Sequence, residues 1–210
     1  MFMTFCELYY KKRIRKLENH HKHTNTQNHT KMKLLIIFSF FMISSNSKII
    51  ELFKNLNFTS LSRFQDGFSF GGIENGYGCW CYFEDSHGQG KGVPRDQIDE
   101  NCKILHDGYD CVLLDHQNCV PWDVSYVSLS TIELFTLALQ DTSSDAIMND
   151  CEIQNAGNAC AIDSCKVEQF FAYDYVKMTL ANSATIDASL QHPSFDTDEC
   201  TIGVTTTGSL

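Results

Sequence analysis

Two stretches of the chain carry apolar side chains at the three- and four-residue steps that mark one buried face of an α-helix. The first runs from Asp96 to Leu114 and the second from about Cys160 to Asn182. The predicted buried face of the first comprises Ile98, Cys102, Leu105, Tyr109 and Val112. That of the second comprises Ile162, Cys165, Gln169, Tyr173, Val176 and Leu180. Asp96 is a suitable N-cap for the first helix.

The segments around these helices have weaker patterns. Residues 67–94 hold eight of the twelve glycines, which predicts a loop region. Ile132–Leu139 predicts a short helix, another could begin within 48–66, and Pro121-Trp122 suggests a turn. The Thr- and Gly-rich residues 196–210 predict a flexible tail. The fold class expected is therefore mainly α, small and loop-rich.

The N-terminal region has the layout of a secretory signal. Residues 1–31 are polar and basic, and Met32-Lys33 is followed by an apolar run that ends in Ser44-Ser45-Asn46-Ser47. That run is well short of the ~20 residues of a spanning helix. We therefore expect 32–47 to be a signal peptide and 1–31 an upstream extension outside the fold. The alternative is a basic tail before a signal anchor. The domain itself is expected over 48–195.

Charge and cysteines narrow the class of protein. Residues 1–47 hold 8 of the 16 Lys and Arg but 2 of the 26 Asp and Glu, so residues 48–210 carry 8 positive and 24 negative side chains, a net −16. Such a domain should not bind nucleic acid or an anionic membrane through a basic patch. Nine cysteines in 48–210 favour disulfides in a secreted chain, with one thiol left over or paired with another chain.

One helix carries candidate chemistry. Cys102 and His106 lie one turn apart, so a disulfide at Cys102 would fix the backbone that holds His106. A neutral imidazole at His106 can activate a water for ester attack. Asp107, rotated by ~100°, would face the glycine-rich loop, where carboxylate and carbonyl oxygens suit Ca²⁺. The alternative is a structural histidine beside a solvent-facing aspartate.

The order and spacing of these residues resemble the secretory phospholipase A2 family. The matching motifs are Tyr77-Gly78-Cys79-Trp80-Cys81, Pro94-x-Asp96-x-x-Asp99 and Cys102-x-x-x-His106-Asp107. The family pattern is Y-G-C-x-C-G-x-G-G, then P-x-D-x-x-D, then C-C-x-x-H-D-x-C-Y. The match covers residues 77–111 well and the rest loosely.

The resemblance implies a disulfide-stapled fold with two long cross-linked helices and a glycine-rich calcium loop. It implies calcium-dependent hydrolysis of the sn-2 ester of glycerophospholipids at a membrane or micelle surface, by a secreted protein. His106 would then be the catalytic base, while Asp107 and loop carbonyls would bind Ca²⁺. The sequence carries no signal for the oligomeric state.

The sequence departs from the family pattern in its loop and disulfide set. Twelve residues separate Cys81 from Pro94, so either Trp80 and its neighbours or Gly88 and Gly90 would supply the calcium-binding carbonyls. Lys103 stands in place of the second adjacent cysteine, with one residue inserted between Asp99 and Cys102. The cross-links implied are Cys102 and Cys111 with Cys160 and Cys165.

The family's second aspartate, which supports the histidine from the other long helix, has no clear match. Asp163 is the candidate and Asp150 the rival. This gap motivates an alternative function, a catalytically weak secreted binding or toxin-like module on the same scaffold. A zinc site at Cys79, Cys81 and His87 and an unrelated disulfide-stapled structural protein are two further alternatives.

Overall fold

The computed structural model describes residues 73, 76–83, 89–140, 145–180 and 186–201. All of them belong to the unit formed by residues 45–210. The predicted upstream extension 1–31, the signal peptide 32–47 and the helix expected within 48–66 lie outside the described residues.

Four α-helices make up most of the described chain: α1 (Gln97–Asp115), α2 (Thr131–Leu139), α3 (Asp145–Gln154) and α4 (Ala159–Leu180). Two short 3-10 helices follow, Ala188–Leu190 and Thr197–Thr201. The described residues contain no β-strand, only isolated bridges from Tyr77 to Cys81 and to Gln191. The prediction of a mainly α, disulfide-stapled fold is confirmed for this part of the chain. None of its helices is long and apolar enough to cross a membrane.

Helix α1 begins and buries its apolar face as its sequence predicts. The Asp96 side chain accepts a hydrogen bond from the Asp99 backbone N–H at 2.8 Å, which satisfies a donor that the first turn leaves open. All five residues of the predicted apolar face are buried. Three polar residues, Asp99, Asn101 and His106, are also buried on the same helix.

Helix α4 lies at the centre of the domain, since it contacts α1, α2 and α3. A helix packed on several sides needs apolar side chains around most of its circumference. Buried residues accordingly occupy successive positions of α4, from Phe170 through Tyr173. The predicted face of the second long helix is therefore too narrow.

The two shorter helices, α2 and α3, differ in how clearly a sequence pattern predicts them. Helix α2 confirms the prediction over Ile132–Leu139 and begins with a capping box formed by Ser130 and Glu133. Helix α3 was not predicted, because its only buried residues are Ile147 and Cys151. It is held to α4 by the Cys151–Cys165 disulfide.

Four disulfides staple the described chain: Cys79–Cys200, Cys81–Cys102, Cys119–Cys160 and Cys151–Cys165. The pairing of Cys102 or Cys111 with a cysteine of α4 is therefore wrong. Cys102 faces the glycine-rich loop, where Cys81 reaches it. Cys111 is buried and lies outside these four bonds.

The segment after Asp196 is more ordered than its composition predicts. Residues Thr197–Thr201 form a 3-10 helix, and Cys200 within it is buried and bonded to Cys79. The prediction of a flexible tail is therefore wrong for residues 197–201. Residues 202–210 lie outside the described part.

Candidate active site

The glycine-rich loop is fixed to α1 by one buried carboxylate. Asp99 accepts backbone hydrogen bonds from Cys79 at 2.9 Å, Trp80 at 2.7 Å and Arg95 at 2.9 Å. Gly78 has φ +55°, and a Cβ there would lie 2.5 Å from the Asp99 carboxyl carbon, so only glycine fits. Burial raises the pKa of Asp99, while the three N–H donors act against that rise.

The C-terminal segment holds the same loop from the other side. Gly78 donates its N–H to the Leu190 carbonyl at 2.8 Å, and His192 donates its N–H to the Gly76 carbonyl at 3.1 Å. The His192 ring also lies 2.9 Å from the Gly78 carbonyl oxygen. Together with Cys79–Cys200, these bonds fix the loop backbone between α1 and residues 188–200.

Trp80 is the side chain on which the predicted site residues converge. Its indole N–H donates to the Gly92 carbonyl at 3.2 Å. A Cβ at Gly90 would lie 2.5 Å from a ring carbon of Trp80, so Gly90 packs directly against the indole. The Trp80 carbonyl accepts the Tyr82 N–H at 2.8 Å.

His106 is enclosed between two aromatic rings. Its ring centroid lies 6.1 Å from that of Trp80 and 6.4 Å from that of Tyr109, the latter in an edge arrangement. The residue is 3 % exposed. The imidazole therefore lies buried next to the Trp80 ring of the glycine-rich loop and the Tyr109 ring of its own helix.

A buried carboxylate that sequence reasoning missed lies next to Tyr109. Glu168 of α4 is 1 % exposed and accepts the Tyr109 hydroxyl at 2.9 Å and the Tyr126 hydroxyl through its other oxygen. Burying a carboxylate requires such donors. The available signal was its position three residues after Cys165, on the buried side of the central helix.

Asp163, the predicted partner of His106, is placed elsewhere. Its carboxylate lies 2.7 Å from the ring of His116 and 3.7 Å from the Lys166 ammonium. His116 is ten residues beyond His106 on the same chain, a displacement of about 15 Å along a helix. Asp163 is therefore not placed to support His106.

The rival candidate Asp150 lies on α3. Burial raises its pKa, with a hydrogen bond from Gln154 and the charge of Glu133 as further influences. These neighbours place Asp150 against α2 and its own helix. Of the acids on α3 and α4, Glu168 is the one that the described contacts connect to the His106 surroundings.

Asp107, the predicted calcium ligand, has a cationic neighbour. The Lys103 ammonium lies 2.8 Å from each of its carboxylate oxygens and 4.9 Å from the centroid of the Trp80 ring. Trp80 therefore brings Gly90, His106 and, through Lys103, Asp107 into one region. Gly88 lies outside the described residues.

The side chains around Asp107 do not provide the ligands that a calcium ion needs. Ca²⁺ takes six to eight oxygen ligands, and both oxygens of Asp107 already face an ammonium. Among the described residues, no three His, Cys, Asp or Glu side chains are grouped to hold a metal ion. The zinc alternative is wrong for Cys79 and Cys81, because both are in disulfides; His87 lies outside the described residues.

Comparisons with known proteins do not extend the family resemblance. No family model, no curated protein and no solved structure matches the chain. The resemblance to secretory phospholipases A2 therefore rests on the motif residues of the sequence.

Proposed function

We propose that this protein is a secreted phospholipase A2-like hydrolase that cleaves the sn-2 ester of glycerophospholipids. The observation that carries the proposal is the placement of His106 between Trp80 and Tyr109, with the Tyr109 hydroxyl on the buried carboxylate of Glu168. The four disulfides support an extracellular location, since such bonds persist in oxidising compartments.

In this proposal His106 takes the proton of the attacking water. The imidazole then becomes positively charged, and a nearby carboxylate stabilises that charge. Glu168 is the carboxylate we assign to this role, because Tyr109, which donates its hydroxyl to Glu168, lies edge-on to the His106 ring. The hydroxyls of Tyr109 and Tyr126 hold the carboxylate in place. Glu168 is thus a positioning residue that takes the role predicted for Asp163.

Calcium is the cofactor that the resemblance implies. When bound, it would stabilise charge on the ester oxygen as a Lewis acid. The Lys103–Asp107 ion pair stands against that assignment, so no step is assigned to the ion.

The test is fatty-acid release from neutral phosphatidylcholine micelles by the full oxidised chain, with Ca²⁺ or a chelator. His106→Gln should lower the rate about 10²- to 10⁴-fold, the usual contribution of a general base. His116→Gln is the matched control. It makes the same substitution at a second histidine, which follows α1 directly and pairs with Asp163 instead of lying at the candidate site. Equal rates for both variants and the unaltered chain would refute catalysis by His106.

Glu168→Gln separates positioning from simple structural support. It keeps the shape of the side chain but removes its charge, so the imidazolium loses stabilisation and the pH profile of kcat/KM should shift. Glu168→Asp should recover part of the rate. A folded Glu168→Gln variant with the original rate and pH profile would remove Glu168 from the mechanism.

A second candidate function, a catalytically weak binding module, is favoured by another way of aligning α1 with the family pattern, which we call the second register. Cys102 and Tyr109 lie seven residues apart, the spacing of the second cysteine and the tyrosine in the pattern C-C-x-x-H-D-x-C-Y. This register needs no inserted residue after Asp99, which agrees with the unbroken α1. It places Leu105 at the position of the family histidine and His106 at that of the aspartate.

The double variant Leu105→His/His106→Asp distinguishes the two candidates. If His106 is the base, the unaltered chain hydrolyses phospholipid and the double variant does not. If the second register is the functional one, the unaltered chain is folded but inactive, and the double variant gains calcium-dependent release. Binding of the unaltered chain to phosphatidylcholine vesicles would then measure the remaining activity of the module.

A further inference from the structure

The Cys119–Cys160 disulfide is the most accessible of the four bonds in the described chain. Cys160 is partly exposed, and Cys119 is 6 % exposed. The six cysteines of the other three bonds are each at most 2 % exposed. A reductant must reach a sulfur atom to open a disulfide, and exposed disulfides are generally the labile ones. Accessibility therefore favours this bond as the first to be reduced in the folded protein.

The place of Cys160 at the start of α4 favours the same bond. Cys160 is the second residue of this 22-residue helix, and no acidic side chain lies in the first turn. The positive end of the helix dipole stabilises a thiolate there, so Cys160 leaves readily when the bond is attacked. Asp163, one turn further on, already faces the His116 ring at 2.7 Å and the Lys166 ammonium at 3.7 Å. Its charge therefore opposes a Cys160 thiolate less than an unpaired carboxylate would.

The bond also holds the segment that leads from α1 to α2. We call residues 119–126 the anchored segment. At one end, Cys119 is joined to α4 by the disulfide. Beyond the other end, Val127 donates its N–H to the Asn155 side chain at 2.7 Å and accepts a hydrogen bond from it at 2.8 Å. Opening the disulfide removes the covalent hold on the end nearer α1, while the end nearer α2 stays bonded to Asn155.

Two aromatic side chains of the anchored segment reach the surroundings of the candidate site. The Trp122 ring lies 5.8 Å from the Tyr109 ring in an edge arrangement. Tyr126 donates its hydroxyl to Glu168, the carboxylate that we assign as the positioning residue for His106. Loosening the anchored segment therefore weakens the hold on that carboxylate.

We propose that Cys119–Cys160 is a redox-sensitive bond that opens before the other three disulfides and thereby loosens the anchored segment. The reductant is a dithiol in solution. One of its thiolates attacks Sγ of Cys119, the S–S bond breaks, and Cys160 leaves as a thiolate that takes up a proton. The second thiolate of the reductant then attacks its own sulfur in the mixed disulfide, and Cys119 leaves and is protonated. Two electrons have then passed to the protein, and the dithiol has become a disulfide.

Timed reduction of the full oxidised chain with dithiothreitol tests the order of opening. Free thiols are alkylated at each time point, and the modified cysteines are identified by peptide mass spectrometry. Cys119 and Cys160 should be modified together, at a rate about tenfold or more above that of any other bonded pair, because access and leaving group both set the rate. Opening of another pair at an equal or higher rate would overturn the proposal.

Two substitutions at Ala159, an exposed residue next to Cys160, test the role of the helix terminus. Ala159→Asp adds a negative charge to the first turn, so it should slow the opening about twofold or more. Ala159→Asn is the matched control, because it has nearly the same shape without the charge, and it should leave the rate unchanged. Equal rates in the two variants would contradict the leaving-group argument.

Hydrogen exchange measures the loosening of the anchored segment. The amides of residues 123–124 form hydrogen bonds within the segment. They should exchange faster in Cys119→Ala/Cys160→Ala than in the unaltered chain, and stay protected in the control Cys79→Ala/Cys200→Ala. The partly reduced unaltered chain gives the same readout if the variant folds poorly. Unchanged protection after the bond is opened would overturn the proposal. The proposal rests on the proposed function only for the effect on Glu168, and because no substrate is used, an inactive enzyme does not alter these outcomes.

Discussion

Individual side chains decide which parts of the candidate site could be predicted. His106 and Asp107 stand out in the sequence because they fall at fixed steps from Cys102 and the glycine-rich loop. Glu168 does not, since its role depends on Tyr109 and Tyr126, which are 59 and 42 residues away along the chain. Asp163 has a favourable position between two cysteines, but the phase of α4 directs it to His116.

At the residue scale, the carboxyl group of Asp174 on α4 makes the stability of the fold depend on pH. Burial raises its pKa to about 6, and the charge of Lys177 acts in the opposite direction. The folded protein therefore holds a proton between pH 3.8 and about 6 that the unfolded chain releases. The stability contributed by this group is complete below the unfolded pKa and is lost as the pH rises through that window.

Asp174→Asn should consequently raise the free energy of unfolding at pH 7.5 by roughly 1–3 kcal/mol. The difference from the unaltered chain should disappear below about pH 4, where the carboxyl is protonated in both states. Urea unfolding at several pH values measures it, with the exposed Asp198→Asn as control. Parallel pH curves for Asp174→Asn and the unaltered chain would contradict the assignment.

At the scale of elements, the helices follow from local patterns and the connections do not. Helix α1 was predicted within one residue at each end, because its cap and apolar spacing are encoded within 20 residues. Helix α3 has too few buried positions to produce a pattern, and it depends on a disulfide to α4. Cysteine pairing depends on three-dimensional approach, which spacing alone does not determine.

The Cys79–Cys200 bond gives the element-scale prediction. It joins the glycine-rich loop to the second 3-10 helix across 121 residues, while Cys151–Cys165 spans 14. Replacing either pair by alanine should cost about 2–5 kcal/mol of stability. Only the loss of Cys79–Cys200 should speed amide hydrogen exchange at Gly78 and Trp80, because of these two disulfides it alone ends in the loop. Equal protection of these amides in both variants would show that Asp99 and residues 188–192 suffice.

For the whole molecule, the net charge bears on which membranes the proposed hydrolase would bind. The chain carries a net charge of −10, and the predicted basic leader contains half of its Lys and Arg. Like charges repel within a Debye length of about 8 Å at physiological salt. In the proposed function, contact with a lipid surface would then depend on apolar side chains rather than on charge.

Sedimentation with lipid vesicles should therefore show weaker binding as anionic lipid is added to phosphatidylcholine. The difference should shrink as salt rises, because screening removes the repulsion. Vesicles of pure phosphatidylcholine, loaded with dextran so that they sediment, provide the reference at each salt concentration. Binding that increases with anionic lipid at low salt would contradict the prediction.

The Cys79–Cys200 bond also sets an order in time. A ribosome adds about 5–20 residues per second, so Cys200 follows Cys79 by roughly 6 to 24 seconds. Cys81 meets its partner Cys102 after 21 residues, long before that. The loop around Trp80 is thus closed by a cysteine that is made 121 residues after Cys79. A nascent chain therefore carries α1 with His106 before the loop above it is locked, and the candidate site is completed only after Cys200 has been added.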